Sequence, residues 1–197
     1  MYRIITIERQ FASGGNEIGK RLAAELGYKL YDRNLLMEAA RNLGTPAIYI
    51  ENLEETSSGS FLYNLSRTPL GGGSDRGDLP LAEKLFEEEK RIIEKTATGG
   101  NCVIVGRAAG YILRDRADCL RVYIHSDKEK RIKRAIEREG IKPEEAEQIL
   151  KKNDKRRSGF YESVTKWQWG SPEFFQICLD SGKLGIDLCT SILLETV

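Results

Sequence analysis

The stretch "RIITIERQFASGGNEIGKRLAAELG", residues 3–27, constrains the fold more than any other. A β-branched run enters a Gly-rich turn, and the turn enters a pattern in which Ile18, Leu22, Ala23 and Leu26 keep helical spacing before Gly27 stops it. Continuous apolar residues over 3–8 suit a strand covered on both faces, as in parallel sheets. A helix that follows such a strand directly points free backbone N–H groups and the positive end of its dipole back at the turn. Paired glycines there let an anion approach the backbone closely. A tight strand-to-helix turn without a ligand is the plain alternative.

The alternation continues along the chain. "YKLYD" reads as a second short strand and "RNLLMEAARNLG" as a helix. Leu81 to Ala97 reads as a long helix with Leu81, Leu85, Ile92 and Ile93 inward, and "NCVIVG" (101–106) as a buried strand. "RAAGYILRD" is expected as a helix, "CLRVYIH" (119–125) as a strand, and "FQICLD" as the last strand before a final helix from Leu184. Ser126 and Glu129 have capping-box spacing for a helix through Arg138, and Pro143 opens another to about residue 157. Strands alternating with helices, without tandem hairpins, argue for one α/β domain over residues 1–197: three layers, a parallel sheet of about five strands and helices on both faces. Residues 52–78 are rich in Ser and Gly and keep no period. They read as a mobile insert, either a lid or substrate-edge loop or plain disorder.

In such sheets ligands sit at the carboxyl ends of the strands, so the exits at 8–16, 31–33, 106–108 and 125–127 are the places to search. The first offers Arg9, Ser13, Gly14, Gly15 and Asn16 to donor phosphates. The third offers Arg107, whose fork suits bidentate phosphate contact, although a surface arginine at a helix start would look the same. After the fourth, basic residues outnumber acidic ones across 128–157, placing Arg131, Arg134, Lys152, Arg156 and Arg157 on two consecutive helices. Phosphoryl transfer is mostly positioning and charge stabilisation, so cations there suit it. A solvated charged face explains the same run.

Globally the charges cancel, with 31 Lys plus Arg against 30 Asp plus Glu. That balance does not suggest a nucleic-acid or membrane-surface protein. Cys102, Cys119, Cys178 and Cys189 show no CxxC spacing and His125 is the one histidine, so buried free thiols are expected rather than a zinc site. "MYRIITI" lacks a long apolar region and no apolar run reaches roughly 18 residues, which makes a cytoplasmic location the expectation.

Taken in order, "ITIERQFASGGNEIGKRLAAELGYKLYD", "VIVGRAAG", "LRVYIHSDKEKRIKRA", "NDKRRSGFY" and "FQICLDSGKLGID" resemble the cytidylate kinase-like family, relatives of the P-loop nucleoside monophosphate kinases. The resemblance implies a P-loop fold with a helical lid over 128–160, an acceptor-side insert at 52–78, ATP with Mg²⁺, and phosphoryl transfer to CMP, dCMP or a related small phosphate acceptor. It implies nucleotide partners, no nucleic acid and no membrane, and leaves the oligomeric state open. "GRAAG" stands where such kinases have G-R-D-x-G, which makes Arg107 the acceptor-binding arginine. "DKRR" matches the lid pattern D-x-x-R and gives Asp154 and Arg157 as contacts near the transferred phosphate. "YD" gives Asp32 as an acceptor-site candidate. Arg156, Arg157 and Arg131 are the cations expected to neutralise the transition state, with Arg131 and Arg134 equally explained by an exposed helix face.

The departures from the pattern are specific. Counting back from "RLAAELG" puts Gly15 at the P-loop lysine and Glu17 at the Ser/Thr that normally holds Mg²⁺. The family typically writes "SGGREIG", and here Asn16 replaces its arginine. Arg9 could reach in from the strand end. Glu17 is either a direct metal ligand or a favourable charge at a helix N-terminus. Ala108 replaces the aspartate that helps read cytosine. Phe160, Tyr161, Trp167 and Trp169 either stack on a base or anchor the core. The competing expectation is a non-catalytic nucleotide- or anion-binding module that kept the fold and lost turnover with the lysine.

Overall fold

A computed structural model describes residues 2–45 and 81–197, and the insert expected at 52–78 lies outside them. Five strands form one parallel sheet in the order β2-β3-β1-β4-β5: β1 (Ile4–Arg9), β2 (Lys29–Tyr31), β3 (Cys102–Val105), β4 (Cys119–His125) and β5 (Ile177–Asp180). Seven helices accompany them among the described residues: α1 (Gly15–Leu26), α2 (Asn34–Asn42), α3 (Leu81–Gly99), α4 (Ala109–Ile112), α5 (Lys128–Glu139), α6 (Pro143–Thr165) and α7 (Ser181–Leu194).

The period-2 alternation of buried strands sorts the core into two faces. Ile5, Ile7, Val103, Val105, Leu120, Val122 and Ile124 pack with Ile18 and Leu22 of α1 and with Cys189 and Leu193 of α7. Ile4, Cys102, Ile104 and Cys119 pack with Leu35, Leu36 and Ala39 of α2 and with Leu85, Ile92 and Ile93 of α3. A third cluster of Ala108, Tyr123, Tyr161 and Phe175, flanked by Phe160, Trp167 and Trp169, ties α6 to the sheet. The aromatic residues are therefore anchors. Trp167 stacks on Phe174 at 4.5 Å between centroids, and Tyr111 meets it edge-on at 4.9 Å.

Four details differ from the sequence reading. The helix expected from Arg107 shrinks to the four residues of α4, because Arg107 and Ala108 both hold left-handed backbone angles (φ 61 and 53) and delay its start. Ser126 does not cap α5; Asp127 does, its carboxylate accepting from Lys130 N at 2.8 Å, while Ser126 N donates to Gln10 Oε1 at 3.1 Å. Helix α6 runs past 157 to Thr165, since Tyr161 and Thr165 continue the buried stripe begun by Ala146 and Leu150. Finally, Cys178 is exposed, unlike the other three cysteines. It projects from the face of edge strand β5 opposite Leu179 and borders a cavity of about 550 Å³ shared with Tyr123, His125 and Trp169.

Candidate functional site

Strand β1 delivers the chain into the turn at Arg9, and α1 begins six residues later behind Gly14 in the left-handed region (φ 81). The turn is built by its own groups. Ser13 is 2% exposed and its Oγ donates to Gln10 O at 2.9 Å, while the Ser13 carbonyl accepts from Ser181 Oγ at 2.5 Å. Arg9 Nε donates to Asn16 Oδ1 at 2.9 Å, so a cation from the strand end lies across the start of α1.

Helix α6 packs on this turn through its inward stripe. Four-residue steps place Asp154 between Leu150 and Tyr161, and Arg157 projects from the same side. Asp154 Oδ1 accepts the Phe11 backbone N–H at 2.7 Å, and its other oxygen pairs with Arg131. Arg131 also donates to Phe11 O at 3.3 Å. Arg157 donates to Arg9 O at 3.1 Å and lies 5.5 Å from the Phe11 ring centre. Arg156 donates to Asn153 Oδ1 at 3.0 Å.

The third strand exit comes to the same place. Arg107 pairs with Glu89, which is 0% exposed on α3, and its guanidinium lies 4.4 Å from the centre of the Phe160 ring. Glu8, 6% exposed, accepts the Ala108 N–H at 3.2 Å. Asp32, just ahead of α2, accepts Asn34 N at 3.4 Å through Oδ1.

Charge is concentrated here without full compensation. Burial pushes the Arg9 guanidinium below its ordinary value; Glu8 and Asp32 oppose the shift, while Arg107 and Arg156 add to it. Burial and the neighbouring Arg9 push Arg157 down to about 9 against the pull of Asp154 and Glu8. Burial raises the Glu8 carboxyl although Arg9, Trp169 and Arg157 favour its charge. Arg9 thus lies within range of the fields of Arg107 and Arg156, and Arg157 within those of Arg9 and Arg156.

Glu17 stands apart from that group. It occupies the first turn of α1, where a negative charge complements the dipole. Its Oε1 pairs with Arg21 at 2.6 Å and its Oε2 with Arg134. The magnesium-ligand alternative does not fit this arrangement, because both oxygens already serve guanidinium groups. Among the described residues no group of three or more His, Cys, Asp and Glu is placed to hold a metal ion.

Two participants were missed in the sequence: Glu8 and Glu89. Glu89 had a signal, since it interrupts the inward stripe Leu85–Ile92–Ile93 of α3 with a charge. Glu8 also had one, as the carboxylate ending a buried strand.

The profile of the cytidylate kinase-like family matches residues 4–183. The chain belongs to that family. No curated protein matches it. Among solved structures, a protein from Eubacterium ventriosum is 27% identical, with a TM-score of 0.74 over 98% of this chain and 96% of that one. A shikimate kinase from Acinetobacter baumannii, solved with shikimate, is 15% identical, with a TM-score of 0.53 over 100% and 93%. TT1252 from Thermus thermophilus is 16% identical, with a TM-score of 0.53 over 98% and 97%. The family member therefore shares its fold with P-loop kinases. No described helix is long and apolar enough to cross a membrane.

Proposed function

We propose that this protein transfers the γ-phosphoryl group of ATP to a nucleoside monophosphate, with CMP and dCMP the first acceptors to test. The observation that carries the reading is the convergence of Arg9, Arg107, Arg156 and Arg157 from three separate elements, with Arg9 and Arg157 both held below the ordinary guanidinium value by burial and by neighbouring positive charge. Such a group is poorly stable alone and well matched to a polyanion. Phosphoryl transfer demands just that match, because negative charge spreads over the moving group and its two flanking oxygens.

In this reading the amides of Gly14, Gly15 and Asn16 cradle the donor phosphates at the start of α1. An acceptor phosphate oxygen attacks the γ-phosphorus in line, the bond to the bridging oxygen breaks, and ADP leaves. The acceptor is already ionised, so no general base is required, and a chain with one histidine suffices. Arg156, Arg157 and Arg131 neutralise the developing charge, and Arg107 with Asp32 and Asp154 orients the acceptor. Ala108 takes the place of the aspartate that reads cytosine, so the assay runs over every nucleoside monophosphate.

The Glu17–Arg134 and Glu17–Arg21 pairs favour a second reading, a binding module without turnover, because they tie up the residue at the usual metal-binding position. ADP release measured with ATP, Mg²⁺ and each nucleoside monophosphate decides between them, with Arg157→Ala as the blank. Turnover with a monophosphate supports the kinase. A nucleotide-induced rise in Tm without ADP from any acceptor supports the module.

A further inference from the structure

The lysine missing from the loop has a steric explanation. A Cβ added to Gly15 would stand 2.6 Å from Arg9 Cβ, 2.9 Å from Arg9 Cγ and 3.3 Å from Ile124 Cβ. The first of these atoms is set by the strand backbone itself, so it cannot swing aside. No side chain, lysine included, fits at position 15 while Arg9 keeps this course. A Cβ on Gly106 would collide with Arg9 Nη1 and stand 3.3 Å from Cζ, and Arg9 Nε is held by Asn16 Oδ1 at 2.9 Å. Gly15 therefore makes room for the stem of Arg9, while its head lies against Gly106, whose backbone is left-handed at φ 81.

Building on the phosphoryl-transfer reading, we infer that Arg9 and the usual P-loop lysine are alternative occupants of one role, and that Arg9 brings from β1 the cation that binds the donor's terminal phosphates. Both departures of the loop then have one cause. Gly15 clears the stem, and Asn16, where the family typically has arginine, offers the guanidinium a neutral acceptor in place of a second positive charge. The head reaches the gap between the exits of β1 and β3, beside Gly106 and within the fields of Arg107, Arg156 and Asp32. This is the border between the donor loop and the residues assigned to the acceptor. A planar fork there can hold two phosphate oxygens at once, which a lysine cannot.

The test is equilibrium binding of inorganic tripolyphosphate and of ATP to the full chain, by calorimetry, for the wild type and four variants. Arg9→Gly and Gly15→Lys alone should each weaken tripolyphosphate binding by about 10- to 100-fold, and Asn16→Ala should weaken it by less. The double variant Arg9→Gly/Gly15→Lys should regain most of the affinity, since removing the stem admits the lysine. If Gly15→Lys alone fails to fold, recovery of the folded state on adding Arg9→Gly reports the same exchange. A folded Arg9→Gly protein that binds both probes like the wild type overturns the inference, as does a double variant no better than the singles. Arg9-dependent tripolyphosphate binding without phosphorylation of any monophosphate would sustain Arg9 and sink the kinase reading. Failure of the wild type to bind either probe would sink both.

Discussion

The Asp154 carboxylate accepts the Phe11 backbone N–H at 2.7 Å, so a side chain on α6 completes a turn that lies 143 residues earlier. With Arg131 on the other oxygen and on Phe11 O, one carboxylate and one guanidinium fasten α5, α6 and the Gly-rich turn together. Asp154→Ala should therefore do two things: free the Phe11 amide and leave Arg131 mostly buried without its counter-charge. Breaking a buried pair costs ~3–5 kcal/mol, and the 19% and 11% exposure of the two side chains places this loss at about 3 kcal/mol. Urea unfolding measures it, and an unchanged midpoint would show that water replaces the carboxylate.

Glu8 gives the stability a pH signature. Burial holds its folded pKa above the ordinary 4.5, so between 4.5 and that raised value the folded protein keeps a proton that the unfolded chain has released. Its contribution is fully present below pH 4.5 and is lost as pH rises through the folded value. Glu8→Gln removes the titration. The variant should need more urea to unfold than the wild type at pH 7, with the advantage vanishing below pH 4.5.

Ala108→Asp supplies the aspartate of the G-R-D-x-G pattern, yet it should not bring cytosine reading with it. Ala108 is 0% exposed inside the Tyr123–Tyr161–Phe175 cluster, and its N–H already binds Glu8. A second carboxylate there would be buried beside the first, costing about 1–3 kcal/mol even though Asp tolerates left-handed backbone. A fall in Tm without a gain in CMP affinity is expected; a CMP-specific gain would show that the cluster opens around the acceptor.

Glu89→Gln keeps the shape of its side chain and removes the charge facing Arg107. With the carboxylate 0% exposed and Arg107 at 25%, the loss should approach the lower end of the ~3–5 kcal/mol range. Arg107, still 4.4 Å from the Phe160 ring centre, should bind an acceptor monophosphate more weakly. Measuring KM for the acceptor against that for ATP separates this local effect from general loosening, which would raise both.

Much of the architecture was legible because it follows from local rules. Continuous β-branched runs gave β1, β3 and β4; helical spacing with Gly27 gave α1; and the alternation of the two gave a parallel sheet with both faces covered. Capping and helix length were less legible. Asp127 and Ser126 are equivalent caps on paper, and only the structure shows Asp127 in the extended position before the first turn, its carboxylate accepting Lys130 N. The end of α6 depended on an aromatic cluster assembled from three distant segments.

By itself the sequence determined the strand-turn-helix unit, the placement of arginines after the strands and the absence of the loop lysine. It did so because periodicity and turn chemistry act over a few residues. Only the tertiary structure decided what those charges do. It set Asp154 on the Phe11 amide, turned Glu17 toward Arg21 and Arg134, buried Glu89 behind Arg107 and laid Arg9 where a side chain at position 15 would stand. Such pairings depend on ångström-scale distances between elements far apart in the chain, and steric exclusion at a glycine is visible only once its neighbours are in place.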